Sequence, residues 1–282
     1  MQQVTDEQLA PPEESVGLAP GRGRLNGRRV LIVGAGQSDF GIDDPPIGNG
    51  RAMAVLCARE GASLALADRD DDSLGVTVEL VGSEPGADHR LVHTTVGDVS
   101  EPSVHDAMIQ ESVEALGGLD GVVYNVGIGA GSGLAGTSVD DWDRVFSINV
   151  RGAMLTAKAA LPVLRAGGSI VFISSLAGLK PGTGIPAYDS SKAAMHGLMR
   201  HVAAEGARRG VRANVIAPGL MDTSLGRLAT AARPERAKVP IPLRRQGTGW
   251  ETAYAAVFLL SNEAAYITGQ VIAVDGGLST LR

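Results

Sequence analysis

The 282-residue sequence predicts an α/β fold: a single domain on a doubly wound, mainly parallel seven-stranded sheet with helices on both faces. Three observations carry that prediction. The runs "RVLIVG", "ASLALAD", "RLVHTTV", "LDGVVYNVG", "GSIVFISS", "VRANVIAPG" and "GQVIAVDGG" are short, apolar and β-branched, as strands buried on both faces are. Amphipathic stretches such as "DDWDRVFSINVRGAMLTAKAALPVLR" and "SKAAMHGLMRHVAAEGARRG" separate most of them, which implies βαβ units with right-handed crossovers. No composition shift or linker divides residues 28–282. Residues 1–27, rich in Pro, Gly, Glu and Gln without periodicity, are expected to form a flexible tail.

Composition narrows the class. A hydrophobic share of 44% and a charged share of 20% suit a soluble globular protein, and 38 glycines with 4% aromatics suit tight turns and close backbone packing. The net charge of -6 leaves no footprint for nucleic acid or an anionic membrane. No apolar run approaches the roughly 20 residues of a membrane span. The first residues have neither a basic n-region nor an apolar h-region, so a cytoplasmic protein is expected. Cys57 is the single cysteine; it excludes an internal disulfide and a cysteine metal site, and its place in an apolar helical stripe predicts a buried, inert thiol. No metal is expected.

The first run leads into "GAGQSDFGIDDPPIGNG", residues 34–50, whose front follows a strand and whose back opens a helix. In such folds the first strand-to-helix turn offers N–H groups and a helix N-terminus to a pyrophosphate. Gly34, Gly36, Gly48, Asn49 and Gly50 are the candidates, and residues 38–46 separate the two halves. The second run ends in Asp68, where a carboxylate can accept from the adenosine ribose hydroxyls and repel a 2′-phosphate. NAD is therefore expected, with NADP kept as the minority reading by Arg69. Further on, "PAYDSSKAAM" puts Tyr188 and Lys192 on one helical face, and "ISSLAG" puts Ser175 at a strand's carboxyl end. A tyrosine with a reference pKa of about 10 is a poor base near neutrality, and a neighbouring ammonium lowers that value.

Taken in order with "GDVS", "YNVG", "SINV", "NVIAPGLMDT" and "YITGQVIAVDGG", these motifs resemble the short-chain dehydrogenase/reductase family of the classical type, a Rossmann-type fold, from about Arg29 to the C-terminus. The resemblance implies an oxidoreductase that interconverts a secondary alcohol and a ketone with NAD(P). It implies Tyr188 as acid/base, Lys192 on the nicotinamide ribose, Ser175 on the substrate oxygen, and Asn149 holding a water that links Lys192 to solvent. It further implies cofactor contacts from Asp98, Val99, Asn125, Val126, Gly127, Pro218, Gly219, Met221 and Thr223.

Three departures from the family pattern stand out. One is the lengthened glycine loop, expected to form a flap that shields the cofactor or touches a neighbouring subunit, with Asp39, Asp43 and Asp44 turned away from the pyrophosphate. Another is Tyr124 and Val126 within "YNVG", expected to narrow the cleft. The last is Val33, where a threonine hydroxyl often ties the loop down.

Substrate selection is expected from residues 176–186, 127–133 and a lid over 220–242. Ser175, Leu176, Leu179, Ile185, Leu220 and Met221 predict a mostly apolar pocket for an alcohol or ketone of medium size. Arg227, Arg233 and Arg236 are expected on a solvated lid face, with a carboxylate partner as the other reading. The alternatives are a cofactor-free lyase or dehalogenase on this scaffold, which Lys192 opposes, and a silent NAD(H)-binding regulatory module. The resemblance also implies a homo-oligomer, tetramer or dimer, through helices beginning near Asp140 and Tyr188.

Overall fold

A computed structural model describes residues 11–87 and 90–281. The seven apolar runs form β1 (Arg29–Val33), β2 (Ser63–Asp68), β3 (Val92–Val96), β4 (Leu119–Tyr124), β5 (Leu164–Ile173), β6 (Arg212–Pro218) and, last in the chain, β9 (Val271–Val274). They make one sheet in the order β3-β2-β1-β4-β5-β6-β9, and every pairing in it is parallel. The short strands β7 (Met221–Asp222) and β8 (Gly247–Thr248) pair outside it.

Alternation along β1 shows why the runs are apolar throughout. Val30 and Ile32 enter one core, with α1 (Asn49–Arg59) and α8 (Gly249–Leu260). Leu31 and Val33 enter the other, with α3 (Pro102–Leu116), α5 (Gly152–Ala160) and α6 (Pro186–Ala207). Both faces are dry, so neither set of side chains can be polar. The remaining helices are α2 (Asp71–Gly82), α4 (Val139–Phe146) and α7 (Ser224–Ala232). Strand order reverses between β1 and β4, which opens a crevice at their carboxyl ends.

Two elements differ from expectation. The stretch expected as one helix over 140–165 is α4, a π-turn at Ser147–Arg151 and α5, with β5 already begun at Leu164. From residue 11 onward, the segment expected to be a free tail is docked. Leu25 is fully buried. Arg59 donates to Gly17 O (2.7 Å), and the Glu60 carboxylate accepts from Arg22 N and Arg24 N (both 3.0 Å). Beyond one short 3-10 turn at Glu13–Val16, the segment has no repeating hydrogen bonds of its own. Side chains from α1 satisfy its backbone instead, a long-range pairing that periodicity does not reveal. Residues 1–10 lie outside the described residues. Cys57 is buried as expected, and burial pushes its thiol up to about 12.

Candidate functional site

At the end of β1 the chain turns through Gly34, whose φ of 85° suits glycine, and its N–H donates to Ala67 O (2.8 Å). The hydroxyl missing at Val33 is replaced by other ties. Gly36 N donates to Asp68 Oδ2 (2.8 Å), and Gln37 N donates to Ser73 Oγ (2.6 Å). Gln37 also closes the base of the excursion: its Oε1 accepts from Gly48 N (2.6 Å) and its Nε2 donates to Pro46 O (3.3 Å). Residues 38–46 therefore leave and re-enter the loop at one clamped point. Asp39, Asp43 and Asp44 are exposed and line no cavity described below. Phe40, held at φ 55°, does line the cleft, together with Leu225 on α7.

A cavity of about 360 Å³ runs along the β1–β4 crevice, bounded by Gly34, Gly36, Asp68, Arg69, Asp98, Val99, Asn125, Val126 and Gly127. Asp68 sits at its wall, accepting on Oδ1 from Arg69 N (2.8 Å). Asp98 accepts from Ser100 N (2.8 Å), a bond that holds its carboxyl below the usual range. Asn125 donates to Gly34 O (2.9 Å), which joins the two loops. Val126 lines the wall, but Tyr124 does not. The last residue of β4, it is fully buried in the core beside α5 and α6 and donates to Ile148 O (2.6 Å).

A second cavity continues past the N-terminus of α1 to Gly48, Asn49, Tyr188, Lys192 and Thr223. Here Asn49 Oδ1 is buried with no hydrogen-bond partner among the described residues. A Cβ on Gly50 would lie 1.9 Å from Gly34 O, so only glycine lets the helix start this close to the strand. These features fit a dinucleotide: a backbone cradle at a helix N-terminus, one orphaned amide facing it, and a carboxylate at the ribose position.

The reactive residues gather where this cavity meets a third. Ser175, following β5, hydrogen-bonds Tyr188 on the first turn of α6. Burial raises the Tyr188 phenol, while the Ser175 bond and the Arg236 charge act to lower it. Lys192 is buried at 3% exposure, its Nζ donating to Ile173 O (3.0 Å) and lying 5.6 Å from the Tyr188 ring centroid. Burial brings its ammonium down to about 8. Asn149, on the π-turn, accepts from Ile128 N and donates to Ile128 O and Ser191 Oγ (all 2.9 Å). Its side chain thus clamps the loop after β4 to α6, and π-turns of this kind recur at functional sites.

The third cavity, of about 670 Å³, is lined by Ser175, Leu176, Lys180, Gly219, Leu220, Arg233 and Arg236. Ile185, Pro218 and Met221 line none of the three cavities. The Met221 side chain is buried against Gly247 instead, because β7 pairs with β8 there. Thr223 borders the second cavity while its Oγ1 caps α7 through Gly226 N (3.1 Å). The pocket expected to be mostly apolar has three cations in its wall. Gln37, Ser73 and Lys180 were missed from sequence. Only Ser73, in the first turn of a helix following Asp68, carried a local signal.

Fold and cleft define a doubly wound protein with a nucleotide-shaped crevice at its strands' carboxyl ends. A profile of the family described as enoyl-(acyl carrier protein) reductase matches residues 47–279 and so begins just after the excursion. A glucose 1-dehydrogenase of Gluconobacter oxydans is 34% identical over 267 residues, covering 93% of this chain and 95% of that protein. A 3-oxoacyl-(acyl-carrier-protein) reductase of Thermotoga maritima is 33% identical over 257 residues, covering 90% and 99%. Among solved structures, levodione reductase superposes with a TM-score of 0.83 at 32% identity, covering 92% of this chain and 100% of that one. The chain belongs to the short-chain dehydrogenase/reductase family, and it is an oxidoreductase that acts on CH–OH groups with a nicotinamide cofactor. Among the described residues no helix is long and apolar enough to cross a membrane.

Proposed function

We propose that the enzyme interconverts a secondary alcohol and a ketone with NAD(H) preferred over NADP(H), and that Tyr188 is its acid/base. The observation that carries this reading is the meeting of Ser175, Tyr188 and Lys192 at the junction of the second and third cavities. A bound nicotinamide supplies the hydride donor or acceptor. Tyr188 exchanges a proton with the substrate oxygen, and the Ser175 hydroxyl donates to that same oxygen to hold it in line. Lys192 binds the nicotinamide ribose and presents its ammonium to the phenol, with Asn149 fixing the backbone beside it and holding the water that leads to solvent. Asp68 supports the NAD preference, since a carboxylate at the ribose repels a 2′-phosphate.

The excursion over 38–46 acts as a flap on the cofactor, with Phe40 lining the same cleft as Leu225 and Leu228. The protein works in the cytoplasm as a homo-oligomer. A groove between α5 and α6, lined by Met154, Leu161 and Leu198, supports the assembly, and sedimentation tests it. Absorbance of the reduced nicotinamide across an alcohol and ketone panel, run with both NAD and NADP, tests the reaction. No turnover of any member, or faster turnover with NADP, removes the corresponding half of the reading.

A further inference from the structure

The three lid arginines have separate fates. Arg227 is exposed and pairs with Asp222 (2.8 Å), the solvated role expected of all three. Arg233 and Arg236 instead line the third cavity. The Arg233 side chain has no hydrogen-bond or ion-pair partner among the described residues. Arg236 is half-buried, and its Nη1 donates only to neutral groups, Gly226 O (3.0 Å) and Thr230 Oγ1 (2.6 Å). Glu235 is the one acid among the described lining residues, and it is paired outward with Lys238 (2.9 Å). Lys180 stands in the same wall.

A half-buried guanidinium with no ion-pair partner is costly, and two of them beside each other more so. Burial first, and then the neighbouring Arg233, act to lower the Arg236 pKa, against smaller opposing effects from Tyr188 and Asp222. An apolar alcohol would leave this arrangement uncompensated. An oxyanion would complete it, because a guanidinium fork matches a carboxylate in two parallel hydrogen bonds. The position is also apt: Ser175 lines the same cavity, and the Arg236 charge reaches Tyr188. One molecule therefore spans the cations and the reactive hydroxyls.

We propose that the substrate is a hydroxy or oxo acid whose anionic group is held by Arg236 and Arg233 while its hydroxyl or oxo carbon lies against Ser175 and Tyr188. This rests on the reading of Ser175, Tyr188 and Lys192 as the reactive centre.

The test uses the full chain loaded with NAD. Short hydroxy acids and their methyl esters are titrated by calorimetry and assayed for turnover, with methanesulfonate and phosphate as further probes. The acids should bind more tightly than their esters, and Arg236→Gln and Arg233→Gln should each cut that preference about 10- to 100-fold. Arg233→Gln covers the case in which Arg236→Gln disturbs the lid, since Arg233 has no internal partner to lose. Tighter binding of methanesulfonate or phosphate than of any acid would move the assignment to that oxyanion and overturn the carboxylate. Equal binding of acid and ester, or a preference untouched by both variants, overturns the subsite. Arginine-dependent acid binding without turnover of any panel member would retain the subsite and remove the oxidoreductase reading of the centre.

Discussion

The two ends of the cleft are built of different material. At the cofactor end, polar side chains are held by main chain: Asp68 by Gly36 N and Arg69 N, Asp98 by Ser100 N, Gln37 by Gly48 N. At the substrate end, the walls are side chains on a lid, with Arg233 unpartnered among the described residues and Arg236 bonded only to neutral groups. Backbone holds a shape that changes little, and it suits a ligand that is the same in every turnover. Side chains on a short helix can be exchanged without disturbing the sheet, so selectivity resides there.

The sharpest way to split the two ends is Tyr188→Phe. It should lower kcat about 10²- to 10⁴-fold, the range for removing a positioned acid/base, while the dissociation constant for NADH stays within about threefold. Steady-state rates and fluorescence titration check both. Comparable losses in rate and cofactor binding would mean that the ends are not separable.

Lys192 straddles them and predicts a pH effect. Its ammonium lies near 8 in the folded chain, below the ordinary 10.5, because of burial. Between those values the unfolded chain binds more protons than the folded one. The stability of the cofactor-free wild type should therefore rise from about pH 8 to 10.5 relative to Lys192→Met, by on the order of 3 kcal/mol. Urea unfolding at several pH values measures this; parallel curves would count against a charged, buried lysine.

A smaller effect is expected at the cofactor end alone. Asp68→Ala removes a charge-assisted acceptor and should weaken NAD binding about 10- to 100-fold while narrowing the NAD over NADP preference. An unchanged preference in paired titrations would remove Asp68 as the discriminator. Smallest is Phe40→Ala, which should speed NADH release by about two- to fivefold through lost apolar cover of the cleft that Leu225 and Leu228 also line. Stopped-flow displacement checks it, and no change would leave residues 38–46 as a tolerated insertion.

Much of this was legible in the sequence where the chemistry is local. Tyr188 and Lys192 are four residues apart on one helix, and β1 declares itself by apolar content alone. The split glycine loop could be rejoined because Gly34 and Gly48 border recognisable elements. Other features depended on partners far along the chain. Tyr124 looked like a cleft residue, yet it is fully buried and bonds Ile148 O in the core. Residues 11–27 lacked periodicity and still docked, because Arg59 and Glu60 supply their hydrogen bonds. The lid arginines were indistinguishable in sequence, yet Arg227 turns outward and Arg236 faces the cavity.

By itself, then, the sequence determined the seven strands of the main sheet, the order of the reactive residues and their chemical kinds. Periodicity, propensity and short spacing act over a few residues and are written into the chain directly. Tertiary structure alone decided which of several similar side chains meets which. Gln37 closing the loop on Gly48, Ser175 reaching Tyr188, and two arginines left facing a cavity all depend on where the strands' carboxyl ends converge. Those distances are set by the packing of the whole sheet, to which each local stretch contributes only a part.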